Sequence, residues 1–259
     1  MILLIDIGNT NSHIGLADAR RVVKGTEMPT GSWKNETAAQ KLRGFVKGRT
    51  IKRAAFCSVV PATTPKVRRT LKTLLGVDPF ELNAATIREI GIDYPKPGTI
   101  GPDRLANALA AKHHYGSPSV VVDFGTAVTF DVVDRSGNYV GGIIAPGLAA
   151  MTDYLHEKTA LLPRIKIRDT RSVIGKSTAE AMLVGAVHGY RGLIRELIKN
   201  LKNELGVRRL PVIATGGYSN LFDRTMKEIT AVEPLLTLEG LRLFAEQHTA
   251  PTHAKVNST

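Results

Sequence analysis

Two scarcities bound this chain before any pattern is considered. Cysteine occurs once in 259 residues, at Cys57. No internal disulfide can form, and a reducing cytoplasm is the expected compartment. Phe, Trp and Tyr together supply 5% of the sequence, and no stretch interleaves them with basic residues as a single-strand nucleic-acid binder does. No apolar run approaches the roughly 20 residues needed to cross a bilayer. The opening, Met1-Ile2-Leu3-Leu4-Ile5-Asp6, lacks the basic segment and small-residue cleavage site of a signal peptide and reads as a buried strand. Acidic residues are also short: 23 Asp and Glu against 35 Lys and Arg leave a net charge of +12. Such a charge attracts nucleic acid and small anionic metabolites alike. The basic residues are scattered, as in Lys47, Arg49, Lys52 and Arg53, then Lys66, Arg68, Arg69 and Lys72. Residues 39–53 and 64–75 therefore read as amphipathic helices or linkers with solvated basic faces. Neither a membrane nor a nucleic-acid partner is expected.

What is present is an ordinary globular composition, 43% hydrophobic and 22% charged, in a chain long enough for one large domain or two smaller ones. The strongest internal signal is a repeat. ILLIDIGNTNSHIGL at 2–16 and SVVVDFGTAVTFDVV at 119–133 share a hydrophobic strand, an Asp, an apolar residue, a Gly, a polar turn and a second strand. Asp6 and Asp123 lie 117 positions apart, close to half the chain. Two copies of one hairpin, each opening a half, imply two similar α/β lobes facing each other. The division falls at 1–116 and 117–247, with 248–259 too poor in apolar groups to pack and expected as a tail.

Within the lobes, strands are expected at 19–28, 51–59, 139–145 and 211–214, with Ser136-Gly137-Asn138 as a hairpin turn. Helices are expected at 64–75, from Asp103 to Tyr115 with Gly116 closing it, at 148–160 and at 178–204. Ala179, Ala181, Gly185, Ala186 and Gly189 on the last of these would permit close packing against a neighbour. Trp33, in a polar stretch, is read as anchoring its loop against the surface.

Three turns could carry chemistry. In Asp6-Ile7-Gly8-Asn9-Thr10-Asn11-Ser12, Gly8 lets a phosphate approach the backbone, and the residues after it supply donors. Asp6, ending a buried strand, needs a partner to stay ionised, and a Mg²⁺ carrying ATP phosphates is one. An ordinary hairpin with local turn bonds is the plain alternative, but the second copy, Asp123-Phe124-Gly125-Thr126, favours paired phosphate loops. In YPKPGTIGPDR at 94–104, Asp103 sits where a helix N-cap belongs. It could equally accept the proton of an alcohol attacking phosphorus, with Arg104 beside it as a cation for an acidic substrate. Thr215-Gly216-Gly217 after a buried strand is either a nucleotide segment or a simple glycine turn.

Paired loops on opposed lobes resemble the actin, Hsp70 and sugar-kinase superfamily. More specifically, DIGNTN, SVVP at 58–61, G-x-DR at 101–104, VVDFGTA at 121–127, GGIIAPG at 141–147, GKSTAEAM at 175–182 and ATGG at 214–217 occur in order. Together they resemble the type III pantothenate kinase family over residues 1 to about 245. The resemblance implies an actin-like, ribonuclease H-like α/β fold with a nucleotide cleft between its lobes, and ATP-dependent phosphorylation of pantothenate. It assigns Asp103 as general base and Tyr94, Gly101, Pro102, Asp103, Arg104 and Thr178 as pantothenate contacts. It assigns Asp6, Ile7, Gly8, Asn9, Thr10, Asn11, Ser12, His13 and Thr126 to ATP. Asp123 is implied to hold K⁺ or NH₄⁺, Asp6 the Mg²⁺ through water, and the chain to form a homodimer. Pro102 stands where the family commonly has Ala, and Val128 where it often has Thr; the second loses a hydroxyl and would alter hydration beside the implied cation site.

Other readings fail on spacing. Ile174-Gly175-Lys176-Ser177-Thr178 imitates the end of a P-loop, but Thr170 stands where the first glycine belongs. No G-x-G-x-x-G follows a strand, and the seven histidines lack metal-ligand spacing. Cys57 lies on a strand and is read as packed rather than nucleophilic. A regulator without catalysis on the same scaffold, or a kinase for another small acid, are the competing functions.

Overall fold

Ile2–Ile7 (β1) is apolar at every position but Asp6, and Asn11–Ala17 (β2) turns back on it as an antiparallel hairpin. Asp6 stands opposite His13, and Ile7 opposite Ser12. A near-continuous apolar run is what a strand covered on both faces requires. The structure, a computed structural model, describes residues 1–223 and 225–248. Val22–Pro29 (β3) extends the hairpin, starting later than residue 19 because the Asp18 carboxylate accepts the N–H groups of Arg20 and Arg21 at 2.7 and 2.9 Å. That local turn competes with the strand ladder. After Thr37–Val46 (α1), Arg53–Ser58 (β4) lies parallel to β1; after Thr64–Leu75 (α2), Phe80–Glu81 (β5) lies parallel to β4. The sheet order is β3-β2-β1-β4-β5. Both helices bury one stripe, Leu42 and Phe45 on α1, Val67 and Leu71 on α2, in one cluster with Leu3, Ile5, Ile7 and Phe56. Their charged residues Lys41, Arg43, Lys66 and Arg69 are exposed, as the solvated-face reading requires.

The second sheet repeats this plan. Its strands are Gly91–Ile92 (β6), Ser119–Phe124 (β7), Ala127–Val133 (β8), Asn138–Pro146 (β9), Val212–Thr215 (β10) and Ala231–Val232 (β11). They are ordered β11-β10-β7-β8-β9-β6. Setting aside β6, each strand has a counterpart in the first sheet with the same neighbours. β7–β8 and β8–β9 are antiparallel, β7–β10 and β10–β11 parallel. The repeat legible as one hairpin thus extends through five strands. The helices are Pro102–Tyr115 (α3), Leu148–Lys158 (α4), Thr178–Glu204 (α5), Ser219–Asp223 (α6) and Leu236–Gln247 (α7). α5 begins on a capping pair: Ser177 Oγ accepts Glu180 N–H at 3.2 Å, while the Glu180 carboxylate accepts Lys176 N–H at 2.8 Å. It packs Ala186, Tyr190, Ile194 and Ile198 onto Val120, Val122, Phe124 and Phe130. Of its small residues only Ala186 is buried. Ala179, Ala181, Gly185 and Gly189 face outward, so the large side chains, not the small ones, make the intrachain contact.

Contacts divide the chain into two compact units. One holds Met1–Glu89, Gly98–Ala106 and the described residues from Thr237; the other holds Ile90–Pro97 and Asn107–Leu236. In the first unit α7 is tied down by Arg53, which donates to Ala245 O at 2.9 Å. Arg242 donates to Glu239 and Glu246, both at 2.6 Å. His248 stacks on Phe244, with 4.1 Å between ring centroids. The rest of the expected tail, 249–259, lies outside the described residues.

Trp33 corrects its sequence reading. It is 3% exposed and belongs to the core of the first unit. Its Nε1–H donates to Ser12 Oγ at 3.0 Å, Ser12 hydrogen-bonds Thr30 Oγ1 at 3.0 Å, and Thr30 donates to the carbonyl of Gly8 at 2.7 Å. This chain of donors fixes the turn after β1 from below. Removing its middle member leaves a buried indole N–H unpaired, which costs about 1–3 kcal/mol. Ser12→Ala should lower the urea midpoint followed by Trp33 fluorescence accordingly. An unchanged midpoint would show that the network does not hold the turn.

Candidate functional site

The β1–β2 turn is built from its backbone. Gly8 N–H donates to Asn11 O at 3.0 Å, and a Cβ at Gly8 would stand 2.9 Å from that oxygen. Asn9 and Thr10 are exposed at the tip, whereas Ile7 and Ser12 are buried. The residues assigned to ATP therefore divide: the side chains of Ile7 and Ser12 hold the turn, and those of Asn9, Thr10 and His13 are presented to solvent.

Asp6 is held by both carboxylate oxygens. The Cys57 thiol donates to Oδ1 at 3.3 Å, and His13 Nδ1 lies 3.3 Å from Oδ2. The other nitrogen of His13 lies 3.6 Å from Glu27 Oε2. Strand register explains this frame, since Asp6 is paired with Cys57 on β4 and with His13 on β2. Burial pushes the Cys57 thiol well up, and the charges of Asp6 and Asp103 push it further. Cys57 is a thiol there, never a nucleophilic thiolate. Two of the sequence-assigned carboxylates of the first unit thus act on one buried sulfur, Asp6 through a hydrogen bond and Asp103 through its charge.

Asp103 is the second residue of α3, not its N-cap. Its Oδ1 accepts the N–H of Arg104 at 2.9 Å. Gly101 makes this seat possible: a Cβ there would lie 2.5 Å from Asp103 Oδ1. The glycine of G-x-DR is thus required by the carboxylate two residues later. Arg104, also half-buried, follows on the same helical turn.

The second unit frames Asp123 differently. Oδ2 lies 3.4 Å from Nδ2 of Asn107, whose amide also lies 3.4 Å from Oδ2 of Asp131. Oδ1 faces glycine backbone. Gly216 adopts φ +86°, and a Cβ there would stand 2.4 Å from Asp123 Oδ1, so no other residue both takes that angle and clears the carboxylate. This gives the Thr215-Gly216-Gly217 turn a definite role in packing against Asp123. Thr126 is exposed at the tip of the β7–β8 turn. Tyr94 follows β6 and lies over β9, where a Cβ at Gly141 would approach its ring to 3.3 Å. Thr178 is exposed at the first turn of α5, after the Ser177 cap. Asn107 and Asp131 escaped sequence reasoning. The only signal for either was a polar residue inside an apolar run, LANALAA and TFDVV.

Comparisons with known proteins fit this geometry. The sequence profile of the type III pantothenate kinase family matches residues 2–200. A type III pantothenate kinase of Akkermansia muciniphila is 46% identical over 244 residues, covering 94% of this chain and 97% of its own. One from Methylacidiphilum infernorum is 41% identical over 251 residues, covering 95% and 88%. Among solved structures, the Lmo2764 protein of Listeria monocytogenes, described as a candidate N-acetylmannosamine kinase, superposes with a TM-score of 0.53 at 12% identity. It covers 95% of this chain and 98% of its own. At that identity the likeness shows the fold alone: α/β, with two actin-like lobes of ribonuclease H-like topology. By sequence, the chain belongs to the type III pantothenate kinase family.

Proposed function

We propose that this chain transfers the γ-phosphate of ATP to the primary hydroxyl of pantothenate, giving 4′-phosphopantothenate, the first step of coenzyme A biosynthesis. The observation that carries the reading is the seat of Asp103. In a chain of this family, a carboxylate on the first turn of α3, tucked against Gly101, shares the surroundings of Cys57 with the nucleotide-turn carboxylate Asp6. Phosphoryl transfer needs little covalent help; it needs an oriented acceptor and stabilised charge. Asp103 would accept the hydroxyl proton as the oxygen attacks phosphorus. Arg104 would hold the substrate carboxylate by charge-assisted hydrogen bonds, with Tyr94, Gly101, Pro102 and Thr178 shaping the acceptor site.

The phosphates would be received by the backbone and exposed side chains of the Asp6–His13 turn and by Thr126. Asp6 is the residue that would hold Mg²⁺ of MgATP through water. Its oxygens are hard donors, and a single carboxylate suits an ion that keeps most of its water shell and shares phosphate ligands. Among the described residues no cluster of three or more His, Cys, Asp or Glu forms a cage for a metal. Asp123, with one oxygen against the glycine backbone of the second turn, is the residue that would hold K⁺ or NH₄⁺. Bound cations there would offset phosphate charge.

Homodimer formation is supported by an exposed face of the second unit. Tyr154 and Leu155 on α4 and Leu161, Val173 and Ile174 after it are exposed apolar residues, and Ala181, Gly185 and Gly189 of α5, a helix in contact with α4, also face outward. A second copy covering that face would remove it from water.

Asp103→Asn should lower kcat by about 10²–10⁴ while KM for pantothenate changes far less, measured by coupled ATP consumption with a panel of hydroxy acids as control substrates. Wild-type turnover in that variant would take Asp103 out of the mechanism; preference for another hydroxy acid would replace pantothenate. Exchanging K⁺ for Na⁺ at constant ionic strength should strongly reduce turnover, and indifference would count against Asp123 as a cation ligand. Gly185→Glu should shift the chain from dimer to monomer in light scattering after size exclusion. A dimer that persists would move the interface elsewhere.

A further inference from the structure

Asn107 is 1% exposed and Asp131 is fully buried. The two have no part in the reaction described above, yet they form a relay that ends on Asp123. Asp131 on β8 stands opposite Val121, two residues along β7 from Asp123, while Asp123 itself stands opposite Thr129. A diagonal offset of two keeps side chains on one face of the sheet, so the two carboxylates project the same way. Asn107, one helical turn beyond Asp103 on α3, places its amide nitrogen 3.4 Å from an oxygen of each. The amide presents its NH₂, not its carbonyl, to both carboxyl groups. One N–H then serves Asp131 and the other serves Asp123. With Oδ2 of Asp123 engaged by Asn107, Oδ1 is turned towards Gly125 and Gly216, where glycine Cα atoms leave the space a Cβ would fill.

We propose that Asn107 and Asp131 are positioning residues for the monovalent-cation site. Asp131 fixes the rotation of the Asn107 amide, and Asn107 fixes the rotation of the Asp123 carboxylate so that one oxygen is presented to the ion. The proposal rests on the assignment of K⁺ or NH₄⁺ to Asp123. Neither residue touches the ion, ATP or pantothenate; both act through Asp123. Their loss therefore weakens cation binding more than it weakens chemistry once the cation is saturating. A hydrogen bond to a charged group stabilises by roughly 1.5–3 kcal/mol, which corresponds to a shift of at least about tenfold in the cation requirement.

The test uses the full chain and two readouts. One is the K⁺ concentration giving half-maximal turnover at saturating ATP and pantothenate. The other is the rise in melting temperature when Na⁺ is replaced by K⁺ without substrates, which does not depend on turnover. Asn107→Ser should raise the half-activating K⁺ by about tenfold or more, leave kcat at saturating K⁺ within a few-fold, and move the thermal response to the same higher concentration. Asp131→Val should do likewise. Asp131→Asn, whose side-chain carbonyl still accepts from Asn107, should recover most of the shift. Should Asn107→Ser not fold, the comparison of Asp131→Val with Asp131→Asn decides alone. A uniform fall in melting temperature with unchanged K⁺ dependence would reduce both residues to packing and overturn the proposal. A wild-type protein without K⁺-specific activation or stabilisation would overturn it together with the Asp123 assignment, and this is visible before any variant is made.

Discussion

A carboxylate at the end of a buried strand is the constraint on which both units depend. Such a group is costly to bury without partners, and the fold meets that cost twice from the same topological position. In each sheet the strand bearing the Asp lies between an antiparallel and a parallel neighbour. Register decides what those neighbours offer. Asp6 is opposite His13 and beside Cys57; Asp123 is opposite Thr129 and beside Thr215. The duplicated backbone thus sets two equivalent carboxylates in unequal company. Asp6 is gripped through both oxygens, by a thiol and an imidazole. Asp123 is held by an amide at one oxygen and by glycine backbone at the other. The two carboxylates are therefore equivalent in topology but not in surroundings.

α3 adds the element that duplication does not supply. Asp103 and Asn107 are four residues apart and share one face of that helix. Asp103 lies in the first unit and Asn107 in the second, where its amide meets Asp123 and Asp131. The glycines around these groups have steric work to do. Gly101 clears Asp103 and Gly216 clears Asp123, each at a distance where a Cβ would collide with a carboxylate oxygen. At these two positions the glycine of the motif is a consequence of a carboxylate packed against backbone.

Much of this was legible in sequence because it is local. The helices at 64–75 and 178–204 follow from 3.6-residue spacing and, for the second, a Ser-x-x-Glu cap. Gly116 ends α3 and Gly137 turns the β8–β9 hairpin, both at positive φ. The two-copy hairpin was visible because strand, Asp, Gly and turn recur at one spacing. The misreadings arose where long-range contacts decided the outcome. Trp33 stands in a polar stretch, but it is buried in the apolar cluster of the first unit, and its indole partner is Ser12, 21 positions earlier. Asp103 follows Gly-Pro, so a cap was the obvious expectation, but Pro102 already lies in the helix. The small residues of α5 were read as permitting close packing against a neighbour; within the chain the sheet takes the larger side chains at the adjoining positions, and Ala179, Ala181, Gly185 and Gly189 face outward. Asn107 and Asp131 are 24 positions apart, and no sequence pattern links a helical Asn to a strand Asp. The family resemblance named roles for residues; it did not say what holds them.

The nucleotide turn shows why role and support must be separated. Eight consecutive residues, Asp6 to His13, are assigned to ATP, yet alternation along a strand allows only some of their side chains to face a ligand. Ile7 is in the core, and Ser12 is the middle of the hydrogen-bond chain from Trp33 to the Gly8 carbonyl. The turn presents the side chains of Asn9 and Thr10 to solvent, on a loop whose shape is set from the interior. Rigidity of this kind matters for phosphoryl transfer, because donors aimed in advance need no reorganisation when charge develops. The buried half of the motif is therefore as necessary to the proposed chemistry as the exposed half, although it would touch nothing that reacts.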